Sequence, residues 1–123
     1  MIKPLLPLKE KFPNLSLSDI KYLTNFQLTY DKEFGEPLGM LQIDFVILYE
    51  TKTYVAEFLF SNPMRIMLDS SGEFQQVSLR IEDISDLHWE NKKYEVVDYE
   101  DQSFSFYCSD IKIKGSREST YPI

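Results

Sequence analysis

Cysteine, histidine and glycine are scarce in this sequence of 123 residues, which contains one Cys, one His and four Gly. Because Cys108 is the single cysteine, an intramolecular disulfide is excluded, and the cytoplasm is the expected location. The four glycines, at positions 35, 39, 72 and 115, form neither of the glycine-rich patterns that bind nucleotide phosphates. We therefore expect the protein to need no cofactor.

Positive charge is also in short supply, with 13 Lys and Arg against 20 Asp and Glu and a net charge of −7. This balance repels nucleic acid and anionic membranes, so neither is an expected partner. No apolar run approaches the roughly 20 residues that span a bilayer. The opening MIKPLLPLKEKFP has two prolines in a very short apolar segment and no cleavage site after it, which predicts an N-terminal arm over residues 1–15.

Apolar and polar residues alternate with a period of two along most of the chain, and this pattern predicts β-strands. Hydrophobic residues make up 43% of the sequence, enough for one core in a single β-rich domain over residues 1–123. The alternating apolar positions occur in five groups: Phe26, Leu28 and Tyr30; Leu41, Ile43, Phe45, Ile47 and Tyr49; Tyr54, Ala56, Phe58 and Phe60; Met64, Ile66 and Leu68; Val77, Leu79 and Ile81.

Helical signals are confined to Leu17–Leu23, where Ser16 or Ser18 could cap one or two turns. Strands joined by short connections, without helices for crossovers, predict a mainly β fold with at most one short N-terminal helix. We expect an antiparallel meander that folds over into a sandwich or a half-barrel, because an open sheet would leave one face wet and its edges exposed.

Three interruptions of the strand pattern are predicted. Residues 31–39, with two glycines and one proline, are expected to form a loop. The apolar residues before and after Ser109-Asp110 are out of phase, which a β-bulge at this point would correct. Residues 115–123 are expected to form a polar tail.

Candidates for chemistry are few. On a strand, Asp86, His88 and Glu90 would share one face and could hold a metal, but side chains along one strand diverge, so no metal site is expected. Trp89 would then point into the core, against Leu79, Ile81 or Phe106. Cys108 lies in an apolar strand that raises a thiol pKa, so it is expected to be a core residue and no catalytic residue is predicted.

Acidic residues are concentrated between Glu82 and Asp101, where eight Asp and Glu face only Lys92 and Lys93, so this segment carries six of the seven net negative charges. Such acids either keep a β-surface soluble or form a docking face for a basic protein. Exposed Tyr next to acids is typical of protein interfaces. The candidate partner-binding residues are Glu95, Asp98, Tyr99, Glu100 and Asp101.

A resemblance to known proteins is carried by residues in the C-terminal third of the chain, namely Ile84, Trp89-Glu90, Tyr94–Glu100, Phe104–Cys108 and Ile111. This arrangement resembles the C-terminal hairpin of small bacterial β-rich domains, some of which resemble immunity proteins, the cytoplasmic antitoxins encoded beside secreted polymorphic toxins. The resemblance implies a toxin as the partner and no active site.

Two functions from different classes are consistent with these observations. The preferred one is a non-enzymatic domain that binds a basic protein through an acidic, Tyr-containing β-surface, as an immunity protein neutralising a toxin would. The alternative is a β-domain that binds a small ligand in an aromatic-lined cavity between its layers. An enzyme using His88 with Asp86 or Glu90 ranks third.

Overall fold

The computed structural model describes residues 2–33, 36–69 and 75–121. Side chains are described for all of these except residues 31–33, 36 and 37. Within these residues the chain forms nine strands and short helical segments. The strands are β1 (Ile20–Glu33), β2 (Glu36–Tyr49), β3 (Lys52–Ser61), β4 (Met64–Leu68), β5 (Gln75–Gln76), β6 (Leu79–Asp83), β7 (Tyr94–Asp98), β8 (Phe104–Cys108) and β9 (Asp110–Ser119). The helical segments are α1 (Leu6–Lys11) and 3₁₀ turns at Lys3–Leu5, Leu17–Asp19 and Ser85–Leu87.

The strands form two antiparallel sheets. The larger sheet has the order β5-β1-β2-β3-β9, and the smaller sheet has the order β4-β8-β7-β6. The expected fold, mainly antiparallel β with at most one short N-terminal helix, is confirmed. The helix is α1, whereas Leu17–Leu23, where the helical signals lie, form a 3₁₀ turn and the start of β1. The two sheets pack face to face as a sandwich.

Phenylalanine rings fill the space between the sheets. Phe60 of the larger sheet meets Phe106 of the smaller one edge to face, with ring centroids 4.9 Å apart. Phe45 and Phe58 make a similar contact at 5.1 Å, and Phe45 also approaches Phe104. Because edge-to-face contacts add to the gain from burying the rings, these residues hold the two sheets together.

The N-terminal segment, expected to form an arm over residues 1–15, contributes side chains to the core. Leu5, Leu8, Phe12 and Leu15 are buried, and the Phe12 ring packs edge-on against Tyr49 at 5.0 Å. A short helix with apolar residues on one side covers the end of a sandwich that two sheets alone would leave open.

Residues 115–119, expected to belong to a polar tail over 115–123, are the end of β9, which pairs with β3 as far as Ser119. Residues 122–123 lie outside the described residues. Arg117 Nη1 lies 3.0 Å from Glu57 Oε1, and Thr53 Oγ1 donates to the Ser119 carbonyl at 2.9 Å. An edge strand is stabilised by its backbone ladder and by cross-strand pairs, so it can be polar where a central strand cannot.

The break in alternation at Ser109 marks a change of sheet. Strand β8 belongs to the smaller sheet and β9 belongs to the larger sheet, and only Ser109 separates the two strands. The Ser109 N–H and Oγ both donate to the Ser61 carbonyl, at 2.9 and 3.2 Å. The shift of phase that suggested a bulge is therefore produced by the strand crossing between sheets.

The region expected to be a loop, residues 31–39, is mostly strand. Strand β1 continues to Glu33 and β2 starts at Glu36, with residues 34–35 outside the described residues. Gly39 pairs with Tyr30, and a Cβ at Gly39 would lie 3.3 Å from the Tyr30 ring. This glycine therefore serves close packing beneath an aromatic ring and not a turn.

Candidate functional site

The candidate site is the outer face of the smaller sheet, meaning the side turned away from the larger sheet. Val96 and Phe106 are a cross-strand pair and both are buried in the core. Their neighbours along β7 and β8 point the other way because side chains alternate along a strand. The outer-face side chains of these two strands are Glu95, Val97, Ser105 and Tyr107.

The turn between β7 and β8 carries exposed acids and an exposed aromatic ring. We call Tyr99–Gln102 the acidic turn. The side chain of Tyr99 is 50% exposed, and Glu100 and Asp101 are exposed beside it. The Tyr99 N–H donates to the Ser78 carbonyl at 3.0 Å and the Gln102 N–H to the Asp98 carbonyl at 3.1 Å, so the backbone of the turn is held at both ends.

Asp98, predicted as one of the partner-binding residues on an exposed acidic surface, is fully buried instead. One carboxylate oxygen accepts from the Ser78 N–H at 2.8 Å, and the other accepts from the N–H and Oγ of Ser103 at 3.1 and 2.6 Å. Asp98 lies on the inward side of β7 with Val96. A buried carboxylate is tolerated when it satisfies buried donors, and here it fastens the acidic turn to the segment before β6.

Glu95 and Tyr107 are coupled across β7 and β8. They are a cross-strand pair, and the Glu95 carboxylate lies close enough to the Tyr107 hydroxyl to act on its pKa. Burial and then the negative charge of Glu95 raise the pKa of Tyr107 above its ordinary value. The contact fixes both side chains on the outer face.

Trp89 lies on the surface, so its expected burial against Leu79, Ile81 or Phe106 is wrong. Its side chain is 48% exposed and meets Tyr107 edge to face at 5.9 Å. Lys92 Nζ lies 5.5 Å from the centre of the Trp89 ring and 5.3 Å from that of Tyr107.

The strand expected around Trp89 does not form. Ser85–Leu87 make a 3₁₀ turn, and His88 adopts a left-handed backbone with φ of 56°. Asp86, His88 and Glu90 therefore do not share a strand face. Among residues 2–33, 36–69 and 75–121, no group of three or more His, Cys, Asp or Glu is arranged to hold a metal.

Cys108 is buried beneath the smaller sheet, as expected for a core residue. Burial, with a smaller effect from the charge of Asp110, raises the pKa of its thiol to about 12. A thiol that keeps its proton is a poor nucleophile.

The acids between Glu82 and Asp101 have different tasks. Asp83 accepts hydrogen bonds from the N–H and Oγ of Ser85, at 2.9 and 2.6 Å, and these bonds lower its pKa. Glu82 lies 3.4 Å from Arg80 Nε in an exposed ion pair. The structure places Glu95 on the outer face beside Tyr107, Glu100 and Asp101 in the acidic turn next to Tyr99, and Asp98 in the interior.

Arg65, Lys92 and Tyr107 are surface residues that sequence reasoning did not identify. They meet Trp89 around one depression of the outer face. Arg65 comes from β4 and is remote in sequence, so no local pattern reveals it. The exposure of Trp89 had a weak signal, because Asp83, Ser85 and Asn91 around it are turn formers.

Comparison with known proteins places the chain in a family. No curated protein and no solved structure matches it. In the described part of the chain no helix is long and apolar enough to cross a membrane. The family model described as Immunity protein PIM8 matches residues 10–114, which include both sheets except the end of β9. The resemblance to immunity proteins is thus confirmed over far more than the C-terminal third, and the chain belongs to the PIM8 family of immunity proteins.

Proposed function

We propose that this immunity protein neutralises its toxin by binding a basic surface of the toxin with Tyr99, Glu95, Glu100 and Asp101, without catalysing a reaction. At the level of the family, neutralising a toxin is the function of an immunity protein. The observation that carries the proposal is the exposed Tyr99 ring on a turn that buried hydrogen bonds hold in place. We place this activity in the cytoplasm, where a chain with one cysteine needs no disulfide.

Preorganisation of the acidic turn supports a binding role. Asp98 accepts three hydrogen bonds and ties the turn to Ser78 and Ser103. A turn that is ordered before binding loses less conformational entropy in the complex. Tyr99 thus acts as the anchor, and Asp98 acts as a positioning residue without touching the toxin.

Charge supports a basic partner. Glu100 and Asp101 are exposed, Glu95 lies on the same face, and the protein carries a net charge of −7. Acids at a rim speed the encounter with a basic surface more than they add to final affinity. The same charge disfavours nucleic acid and anionic membranes as partners.

The small-ligand alternative receives less support. The Phe rings that would line a cavity between the sheets contact one another instead, as Phe60 does with Phe106 at 4.9 Å.

The test measures binding kinetics with the protein encoded by the adjacent toxin gene. Glu95→Lys, Glu100→Lys and Asp101→Lys are combined in one variant. The matched control reverses three exposed acids elsewhere, at Glu10, Glu50 and Glu118, and so has the same net charge. We expect the first variant to associate at least about tenfold more slowly and the control to change much less.

Tyr99→Ala is expected to act on dissociation. Loss of an anchor should cost about 2 kcal/mol, which corresponds to a dissociation rate roughly 30-fold higher. For the wild-type pair, association should slow as salt rises. Unchanged kinetics in both the triple variant and Tyr99→Ala would refute the docking role of the acidic turn.

A further inference from the structure

A second binding feature lies at the other end of the outer face. Arg65, Trp89, Lys92 and Tyr107 surround an open depression of about 320 Å³, which we call the cationic pocket. Lys92 Nζ lies over both aromatic rings, and the Trp89 and Tyr107 rings pack edge to face. The rings reduce the freedom of the ammonium group without neutralising its charge.

The composition of the cationic pocket is that of a binding site for protein. Trp, Tyr and Arg are the residues that most often dominate interface energy. Arg65 and Lys92 line the same depression on a chain with a net charge of −7, so the cluster is not a sample of a generally basic surface.

The backbone directs Arg65 to this place. Met64 pairs with Tyr107 and Met67 pairs with Ser105, so two residues of β4 oppose one residue of β8. Within this bulge Arg65 adopts a left-handed φ of 53°. Bulges turn side chains away from their regular direction, and this one brings a guanidinium group to the pocket formed by Trp89 and Lys92.

The cationic pocket and the acidic turn lie at different ends of β7. Tyr107 of the pocket pairs with Glu95 near the start of β7, and the acidic turn begins at Tyr99, roughly 13 Å further along the chain. This distance exceeds the Debye length of about 8 Å at physiological salt, so Glu100 and Asp101 do not cancel the charges of the pocket. An approaching protein meets an acidic end and, at the other end, two cations with Glu95 at their edge.

We propose that the cationic pocket binds a carboxylate side chain of the toxin through Arg65 and Lys92, next to an apolar toxin side chain that covers Trp89. This inference rests on the proposed function, because it assumes that the toxin docks on the outer face. It adds an acidic segment of the toxin beside the basic surface that faces the acidic turn.

The first test needs no substitution. Trp89 is the sole tryptophan, so the protein labelled with 5-fluorotryptophan gives one fluorine resonance. We expect this resonance to shift when the unlabelled product of the adjacent toxin gene is added in saturating amount. An unchanged resonance in a formed complex would overturn the inference.

The second test separates the charge from the ring. Lys92→Glu, Arg65→Glu and Trp89→Ala should each raise the Kd for the toxin at least about tenfold. Lys93→Glu is the matched control, because it changes the net charge equally at the neighbouring exposed position and should raise the Kd less than about threefold. If Trp89→Ala raises the Kd but Lys92→Glu and Arg65→Glu leave it unchanged, a carboxylate is ruled out as the group bound in the pocket.

The two proposals fail in different ways. If Tyr99→Ala weakens the complex while the pocket variants and the fluorine resonance show no change, the cationic pocket is rejected and the acidic turn stands. If the pocket variants weaken binding and the variants of the acidic turn do not, the reverse holds. No binding by the wild-type protein would reject both.

Discussion

The outer faces of the two sheets differ in how far their side chains contact one another and how far they are left exposed to solvent. At the centre of the larger sheet, Gln42 donates to Asp44 at 3.0 Å and accepts from Lys114 at 2.9 Å, and Arg117 pairs with Glu57. On the smaller sheet, Trp89, Tyr99 and Met67 expose between 48% and 69% of their surface.

The difference lies in whether the side chains of a face satisfy one another. Val46 and Val55, cross-strand neighbours on the outer face of the larger sheet, are buried although they lie outside the main core cluster. On the smaller sheet, large apolar surface is left to solvent. A group of exposed aromatic residues next to charges is a feature of interaction sites, whereas a face covered by its own polar pairs is stable without a partner.

The contrast between the two sheets assumes that the inner face of the smaller sheet is buried, and it would fail if solvent reached that face as well. Cys108 tests this, because burial in a closed interior raises the pKa of its thiol from 9.0 to about 12. At pH 8 we expect about a thousandfold less thiolate, and correspondingly slow labelling by a disulfide reagent until urea unfolds the chain. The raised pKa also means that the unfolded chain ionises first, so the fold loses stability as pH rises above about 9. Rapid native labelling at pH 8 would contradict the packing.

A comparison of Asp98 with Glu100 distinguishes acids that stabilise the fold from acids that are only exposed on the smaller sheet. Asp98→Ala leaves the N–H groups of Ser78 and Ser103 without their acceptor, so we expect a loss of about 3 kcal/mol in the free energy of unfolding in urea. Glu100 is exposed in the acidic turn, so Glu100→Ala should change the free energy of unfolding by less than about 0.5 kcal/mol. Equal effects would show that the turn is not fastened by Asp98.

The two faces can be compared directly by truncating one residue on each. Val46→Ala should cost about 2 kcal/mol, because two buried methyl groups are lost. Trp89→Ala removes many more atoms but should cost no more, about 2 kcal/mol, because half of the residue is already in water. A cost of about 3–5 kcal/mol would show that Trp89 packs into the core, and its fluorescence would then be blue-shifted and protected from acrylamide.

The smallest expected effects concern charges. Reversing Glu100 or Asp101 to Lys should change the free energy of unfolding by no more than about 0.5 kcal/mol each, since both are exposed. Breaking the exposed pair of Arg117 and Glu57 by Arg117→Ala should cost a similar amount. A cost of several kcal/mol at Glu100 would mean that the acidic turn is structural throughout.

Much of the fold could be predicted from the sequence, because alternation reports which residues face a core. It identified the inward residues of β2, β3 and β6. It could not show that Asp98 is buried, since this depends on Ser78 and Ser103 meeting it in space. Composition favours an exposed acid, and three hydrogen bonds override that preference.

The candidate site was predictable only in part. The acidic turn is one continuous segment, so its charge and its tyrosine are visible in the sequence. The cationic pocket combines Arg65 of β4 with Trp89, Lys92 and Tyr107, and its formation depends on strand order and on a bulge. At the C-terminus, polar residues concealed β9 because an edge strand is held by its backbone.

The passage of the chain from β8 to β9 through Ser109 has a consequence for folding kinetics. The sandwich is completed by pairs such as Thr53 and Ser119, which are 66 residues apart in sequence. Contacts of such long range are slow to form, so folding should be slower than for a helical protein of this size. Until β9 docks, β3 presents an unpaired edge to other chains. Because chains can aggregate through this edge, the yield of refolding should fall as protein concentration rises. The fall should be larger the longer β3 stays unpaired.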